Sequence, residues 1–371
     1  MKTPQLLDQL TRPADLVETL EEGAVRCKAC AQRCLIQPGK RGICGVRYNR
    51  EGTLLVPHGY VAGVQIDPIE KKPFNHFLPG SEVLTFGMLG CNFHCCFCQN
   101  WFSSQALRDP AAADAVNSIR QIPAERLVQY ALENGALGIA SSYNEPLITA
   151  EWSVEIFKQA KANGLRTAYV SNGYATPEVL EYLAPWLDGF KVDLKSMRDS
   201  EYRKMGGRLQ PVLVTIKRVK ELGLWLEVVT LIIPGMNDTT EELWEAGRFL
   251  SSISPDIPWH VTAYHPDYKE DAPPTPSATL QRAAEIGQEA AGLCGLSRAA
   301  QAAGLRHCSN RDAGSLACAD GDCGAGGRGA RLFAEADQCG CGGGARDPGG
   351  CAQAQESGAG GVTAAEHAAP G

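Results

Sequence analysis

The stretch EVLTFGMLGCNFHCCFCQNW, residues 82–101, decides the fold. Its first half is apolar, with β-branched and aromatic residues, and reads as a buried strand. Its second half sets Cys91, Cys95, Cys96 and Cys98 in a loop directly after that strand. Cys91, Cys95 and Cys98 form CxxxCxxC, and three thiolates so spaced can hold three corners of a cubane [4Fe-4S] cluster, leaving the fourth iron without a protein ligand. Zinc competes for such spacings, but a structural zinc site calls for four closing ligands, with His94 available as the fourth. The position after a strand favours the cluster. Cys96 is then surplus, and is expected to be a small buried hydrophobe. Phe97 is expected to cover the cluster or an adenine face, or else to pack in the core.

Downstream, helix-period and strand-like segments alternate. Helices are expected over 123–134, 150–164, 176–185, 211–223, 239–253 and 277–290, and strands over 137–143, 166–173, 189–195, 224–235 and 259–266. Together with 82–89 these make six strand and helix pairs, which predict an α/β fold with a parallel sheet curled into a partial (β/α)6, TIM-like barrel. In such barrels the chemistry sits where the βα loops converge, at the strand C-terminal ends. The polar residues Asn144 and Glu145, Ser171 and Asn172, Asp193 and Lys195, and Tyr264 and His265 fall there. Any one of them alone serves equally as a turn former or cap. Their recurrence at nearly every strand end points to one shared pocket.

Composition divides the chain into a Cys-rich zone (1–60), a barrel core (61–290) and a Gly- and Ala-rich tail (291–371), the last expected to be a disordered extension or a shifted reading frame. A net charge of -7 supplies no basic field for nucleic acid or an anionic membrane. No apolar run reaches bilayer length and the start is rich in acids, so a cytoplasmic protein is expected. The fifteen cysteines cluster within a long chain, which points to metal rather than to disulfides.

Beside the cysteine loop stand DPIEKKPFNH (67–76), SSYNEP (141–146), YVSNGY (169–174), VDLKS (192–196), IIPGMND (232–238) and HVTAYHPDYKEDAPPTP (260–276). In this order the motifs resemble the radical S-adenosylmethionine (SAM) superfamily, and within it the AmmeMemoRadiSam system radical SAM enzymes, relatives of pyruvate formate-lyase activating enzymes. The resemblance spans about residues 27–290. It implies that SAM chelates the open iron and that one electron cleaves its sulfonium bond, giving a 5′-deoxyadenosyl radical that abstracts hydrogen from a protein or small-molecule substrate. It implies a one-electron donor such as flavodoxin or ferredoxin, and activity similar to glycyl-radical-enzyme activases.

Residue by residue, Asn144 and Glu145 stand where the superfamily has its GGEP stretch, with Glu145 facing the methionine ammonium. Asp193 and Lys195 match the DLK stretch, whose lysine contacts SAM, and His265 matches a histidine near the adenosyl group, so that Lys195 and His265 are the candidate catalytic residues. Ser171 and Asn172 join the cofactor-binding set with Phe97, while Val170 and Ser171 occupy the neighbourhood of an acid in the activating enzymes' monovalent-cation site. Cys27, Cys30, Cys34 and Cys44, a quartet the family shares, suit zinc or a second iron–sulfur cluster, and spacing alone does not separate the two. The run of Asp67, Glu70, Lys71, Lys72 and His76 is expected to border the pocket, with Lys71 and Lys72 on a solvated face. The reading from another class is a non-catalytic iron–sulfur carrier or metal-binding scaffold, which would close its cluster with four protein ligands.

Overall fold

The structure is a computed structural model that describes residues 6–295. The tail expected over 291–371 lies, from residue 296 on, outside the described residues. A seven-stranded sheet organises the molecule: β1 (Gly63–Pro68), β2 (Glu82–Gly87), β3 (Gly138–Ser141), β4 (Arg166–Ser171), β5 (Gly189–Asp193), β6 (Trp225–Ile232) and β7 (Trp259–Ala263). Neighbours in the sheet follow chain order, with β1 and β7 at its two edges, so the barrel is partial and open. Strands β2 to β7 are parallel and are those the apolar runs predict. Strand β1, antiparallel to β2, is an addition that the sequence reading did not include.

Parallel strands need crossovers, and here these are mostly helical. Besides a four-residue helix at Trp101–Ser104, the helices described are α1 (Ala124–Glu133), α2 (Ala150–Ala162), α3 (Pro177–Leu183), α4 (Asp199–Lys204), α5 (Leu209–Glu221), α6 (Thr240–Ile253) and α7 (Ser277–Gly295). Threonines cap two of them: Thr176 Oγ1 accepts from Val179 N at 3.1 Å and Thr239 Oγ1 from Glu242 N at 3.3 Å. Helix α4, short and charged, is one that periodicity does not reveal.

Alternation along the strands separates two faces. Leu84 and Phe86 join the helix-side core, where Phe86 meets Phe157 of α2 edge to face. Val83, Ala140 and Ala168 pack instead on Ile69 and Phe74, so the segment after β1 fills part of the concave face. This corrects the expectation for one of its lysines. Lys71 is exposed, but Lys72 is buried, with its ammonium 3.2 Å from both Asp67 Oδ2 and the Tyr143 hydroxyl. Once the strand end brings Asp67 inside, an ammonium must follow to neutralise it.

Residues before β1 form two small three-stranded antiparallel sheets. Leu7, Leu16, Val25, Ile36 and Val56 join the same core as the barrel helices. Arg47 crosses from this region to α2, where its guanidinium pairs with Glu151, donates to the Ile148 carbonyl at 2.8 Å and is almost fully buried. Burial opposes its charge, but the Glu151 carboxylate outweighs that and holds Arg47 firmly protonated. Substituting Glu151→Ala leaves a buried guanidinium unpaired, and denaturant titration should show stability falling by about 3–5 kcal/mol.

Candidate active site

The loop after β2 runs against other backbone so closely that side chains are excluded. A Cβ at Gly87 would lie 2.6 Å from the Ser142 carbonyl oxygen, and one at Gly90, where φ is +90°, would lie 2.9 Å from that of Cys44. Asn144 Oδ1 accepts from Met88 N at 3.0 Å, tying the end of β3 to the start of the loop. Arg108 grips the loop from outside, donating to the carbonyls of Cys91 at 2.6 Å and Phe93 at 2.8 Å, and also to that of Ile43.

Cys91, Cys95 and Cys98 are free thiols on this loop. Burial pushes the Cys95 thiol up to about 12, against the pull of the Lys195 ammonium. Burial likewise raises Cys98, opposed by the Ser104 hydroxyl at 3.2 Å and by Lys195. Burial raises Cys91 too, with the Glu145 carboxylate and Cys95 adding to it. Cys95 is buried and Cys91 and Cys98 are half-buried; thiols whose thiolates repel one another, two of them favoured by the Lys195 charge, form a donor set suited to a cationic metal centre, which takes cysteine as thiolate. Phe93 N donates to Cys91 Sγ at 3.4 Å, the kind of backbone contact that tunes cluster sulfurs.

Cys96 does not behave as expected. It is exposed, and its thiol donates to Glu270 Oε2 at 3.1 Å, because the loop turns it outward onto the segment after β7. Loss of hydration and the Glu270 carboxylate push its pKa up to about 11. His94 is also exposed, and a Cβ at Gly206 would meet its ring at 2.5 Å. Phe97 is buried in the main core, with the Lys195 ammonium 5.8 Å from its ring centre.

Glu145 is only 2% exposed. Its Oε1 accepts from Ser171 Oγ at 2.7 Å and Leu147 N at 3.1 Å, and its Oε2 from Asn172 N at 2.8 Å. Burial outweighs these three donors and raises the carboxyl to about 7. The Asn172 side chain reaches the other way, donating to Asn92 Oδ1 at 2.7 Å, next to Cys91. Asp193 sits between two ammonium groups, that of Lys191 in direct contact and that of Lys195 at 3.3 Å. Burial disfavours its charge, yet both lysines together hold its pKa below the usual carboxylate range. The structure thus groups Cys91, Cys95, Cys98, Glu145, Ser171, Asn172, Asp193 and Lys195, whereas His265 is exposed and hydrogen-bonds the carbonyl of its neighbour Pro266 at 3.1 Å.

Three members escaped the sequence reading: Lys191, Arg108 and Tyr202, whose hydroxyl accepts from Lys195 N at 3.0 Å. Lys191 was within reach, since a period of two puts it on the same strand face as Asp193. The other two left no local signal.

The Radical SAM superfamily model matches residues 86–250. An uncharacterized protein of Methanocaldococcus jannaschii is 37% identical over 281 residues, covering 75% of this chain and 82% of that one. The pyruvate formate-lyase-activating enzyme of Staphylococcus epidermidis is 24% identical over 197 residues, covering 50% of this chain and 76% of its own. The isethionate sulfite-lyase activating enzyme of Oleidesulfovibrio alaskensis is 24% identical over 172 residues, 46% of this chain and 54% of its own. The chain belongs to the radical SAM superfamily, and within it to proteins similar to the pyruvate formate-lyase activating enzymes. It is an enzyme of the type that cleaves SAM at a [4Fe-4S] cluster, so the reading as a non-catalytic carrier is set aside. Among the described residues no helix is long and apolar enough to cross a membrane.

The grip of Arg108 can be tested without cofactors. In Arg108→Ala, amide hydrogen exchange over residues 91–98 should accelerate about tenfold or more, because carbonyls on two segments lose their common donor.

Proposed function

We propose that this chain abstracts hydrogen from a protein or small-molecule substrate in the manner of glycyl-radical-enzyme activases, using the loop of Cys91, Cys95 and Cys98 and the polar strand ends around it. The observation that carries this reading is the tie between the three-cysteine loop and the charged strand ends: the Asn172 side chain donates to Asn92 at 2.7 Å, its N–H donates to Glu145 at 2.8 Å, and the Lys195 ammonium stands 5.8 Å from the Phe97 ring centre. A three-thiolate loop flanked by one fixed cation and one carboxylate is suited to a zwitterionic amino acid at the open iron. When bound, the reduced cluster supplies the single electron for cleavage of the sulfonium bond of SAM.

The chain's own residues have distinct tasks in this reading. Cys91, Cys95 and Cys98 hold the cluster. Glu145 receives the methionine ammonium, and Ser171 and Asn172 fix its carboxylate in place. Lys195, kept charged by Asp193 against the cost of burial, offers a cation to the SAM carboxylate and favours the thiolates. Asn144 braces the loop through Met88, Phe97 forms the apolar wall beneath Lys195, and His265 attends the adenosyl side from the rim. The electron comes from a donor such as flavodoxin or ferredoxin.

The zone of residues 1–60, seated against the 61–290 core, would carry a second metal centre on Cys27, Cys30, Cys34 and Cys44. Three of these thiols are buried and the fourth is half-buried. Four such thiols suit zinc or a second iron–sulfur cluster.

After anaerobic reconstitution with iron and sulfide, dithionite and SAM should yield 5′-deoxyadenosine. Cys91→Ala, Cys95→Ala and Cys98→Ala should each abolish it, while Cys96→Ala retains it; equal loss in all four would refute the assignment. Glu145 gives a second expectation. Its carboxyl is half protonated at about pH 7, and a bound ammonium favours the carboxylate, so SAM binding just below that pH should release a proton and weaken about tenfold per unit as the pH falls further. Calorimetry in two buffers of different ionisation enthalpy checks this: the buffer dependence should vanish in Glu145→Gln, and its absence from the wild type would remove Glu145 from the role.

A further inference from the structure

We propose that His76, Glu227 and His260 form a binding site for a divalent transition-metal ion such as Zn2+, separate from both cysteine clusters. Among the described residues this is the group of His, Cys, Asp and Glu side chains that brings three ligating atoms within 4.8 Å of one another. Glu227 and His260 stand near the N-terminal ends of β6 and β7, whereas the cysteine loop leaves the C-terminal end of β2. His76 comes from the segment that fills the concave face.

The arrangement singles out one oxygen. Glu227 Oε1 is occupied by three donors, His76 N at 3.1 Å, Phe77 N at 2.8 Å and Trp225 Nε1 at 2.9 Å. Both imidazoles converge on the other oxygen, Oε2, with His260 Nε2 at 2.6 Å and His76 Nδ1 at 3.6 Å, while Asn75 N donates to it at 2.9 Å. The two rings stack with centroids 5.5 Å apart. One imidazole is enough to partner a buried carboxylate. A second ring brought to the same oxygen assembles two nitrogen ligands and one oxygen ligand, the His2Glu set that binds zinc at about 2.0–2.2 Å and leaves a fourth position open.

The surroundings support ligation independently. A metal-bound histidine usually donates its other ring N–H to a fixed acceptor. The Asn75 amide lies 3.4 Å from His260 Nδ1, and Asn75 Oδ1 is buried with no hydrogen-bond partner among the described residues. Rotating that amide by half a turn turns Oδ1 towards Nδ1–H, the acceptor that ligation calls for, and leaves Nε2 for metal. Glu227 is already oriented by backbone amides, as ligating carboxylates are. The ion would pin the segment around Asn75 to Phe77 onto β6 and β7.

The test uses the full chain with its iron–sulfur sites reconstituted, so that the thiolates are occupied. Zn2+ is titrated by calorimetry, and zinc is counted by elemental analysis after gel filtration. Wild type should retain one zinc that His260→Ala loses, and His76→Ala should bind it more weakly by at least the roughly 10–100-fold that loss of an outer-shell partner causes. His76→Ala keeps the backbone amides on Glu227, so it remains decisive if His260→Ala fails to fold. Zinc should also slow amide exchange at residues 74–77 in wild type and not in His76→Ala. Zinc retention equal in wild type and His76→Ala, or no zinc taken up by wild type, would overturn the site. Either result leaves the SAM chemistry of the cysteine loop untouched.

Discussion

The constraint on which the rest of the structure depends is the parallel pairing of six strands. A parallel neighbour is reached only by a crossover that returns the chain to the starting edge, so every loop leaving a strand's C-terminal end opens on the same side of the sheet. The register makes this concrete: Ser141 lies opposite Phe86, Ser171 opposite Val192, and Asp193 opposite Val229. Residues that follow these positions come from far apart in the sequence and yet share one edge. The cysteine loop, Glu145, Asn172 and Lys195 are neighbours for that reason, and no local property of any of these segments would have joined them.

Electrostatics then decides which of these groups carries charge. Burial opposes the charged form of every one, and the outcome depends on what stands beside it. Asp193 stays ionised because two ammonium groups flank it, and Lys195 stays protonated because Asp193 and two thiols outweigh its desolvation. Glu145 has hydrogen-bond donors but, among the described residues, no cation in a salt bridge with it, and burial raises its carboxyl to about 7. The site therefore contains one carboxylate neutralised by cations and one held by neutral hydrogen-bond donors alone.

Much of this was legible in the sequence, and the failures share a cause. The parallel strands announced themselves as apolar runs ending in polar pairs, and the helices as amphipathic segments with threonine caps. Cys91, Cys95 and Cys98 followed from spacing on a loop after a strand. What spacing could not give is which way a side chain points once another segment packs on it. The spacing predicts a buried, surplus Cys96, but the 265–270 segment offers it Glu270; the charge run predicts a solvated Lys72, but Asp67 draws it inside. Strand β1 leaves no such signal because it is itself the antiparallel edge of the sheet, and its sequence, GVQIDP, mixes Gln65 and Asp67 with only two large apolar side chains, Val64 and Ile66. Arg108 and Tyr202 act through backbone atoms of distant segments, a relation that no motif records.

The region before β1 shows why a short cysteine-rich zone needs the barrel. About sixty residues cannot bury enough apolar surface to fold securely without a staple. Here two substitutes are combined. Apolar side chains such as Leu16 and Val25 enter the core that the helices already form, and the Arg47 guanidinium finds its counter-charge on α2 rather than within its own segment. Arg47 also donates to Cys27 Sγ at 3.7 Å, so the pair that docks the zone also touches its thiols. On the far side, the Cys44 carbonyl abuts Gly90, and Asn92 contacts Cys30 just beside Cys91. Any substituent at Gly90 would push the two cysteine segments apart. The zone is therefore packed against the backbone of the cysteine loop.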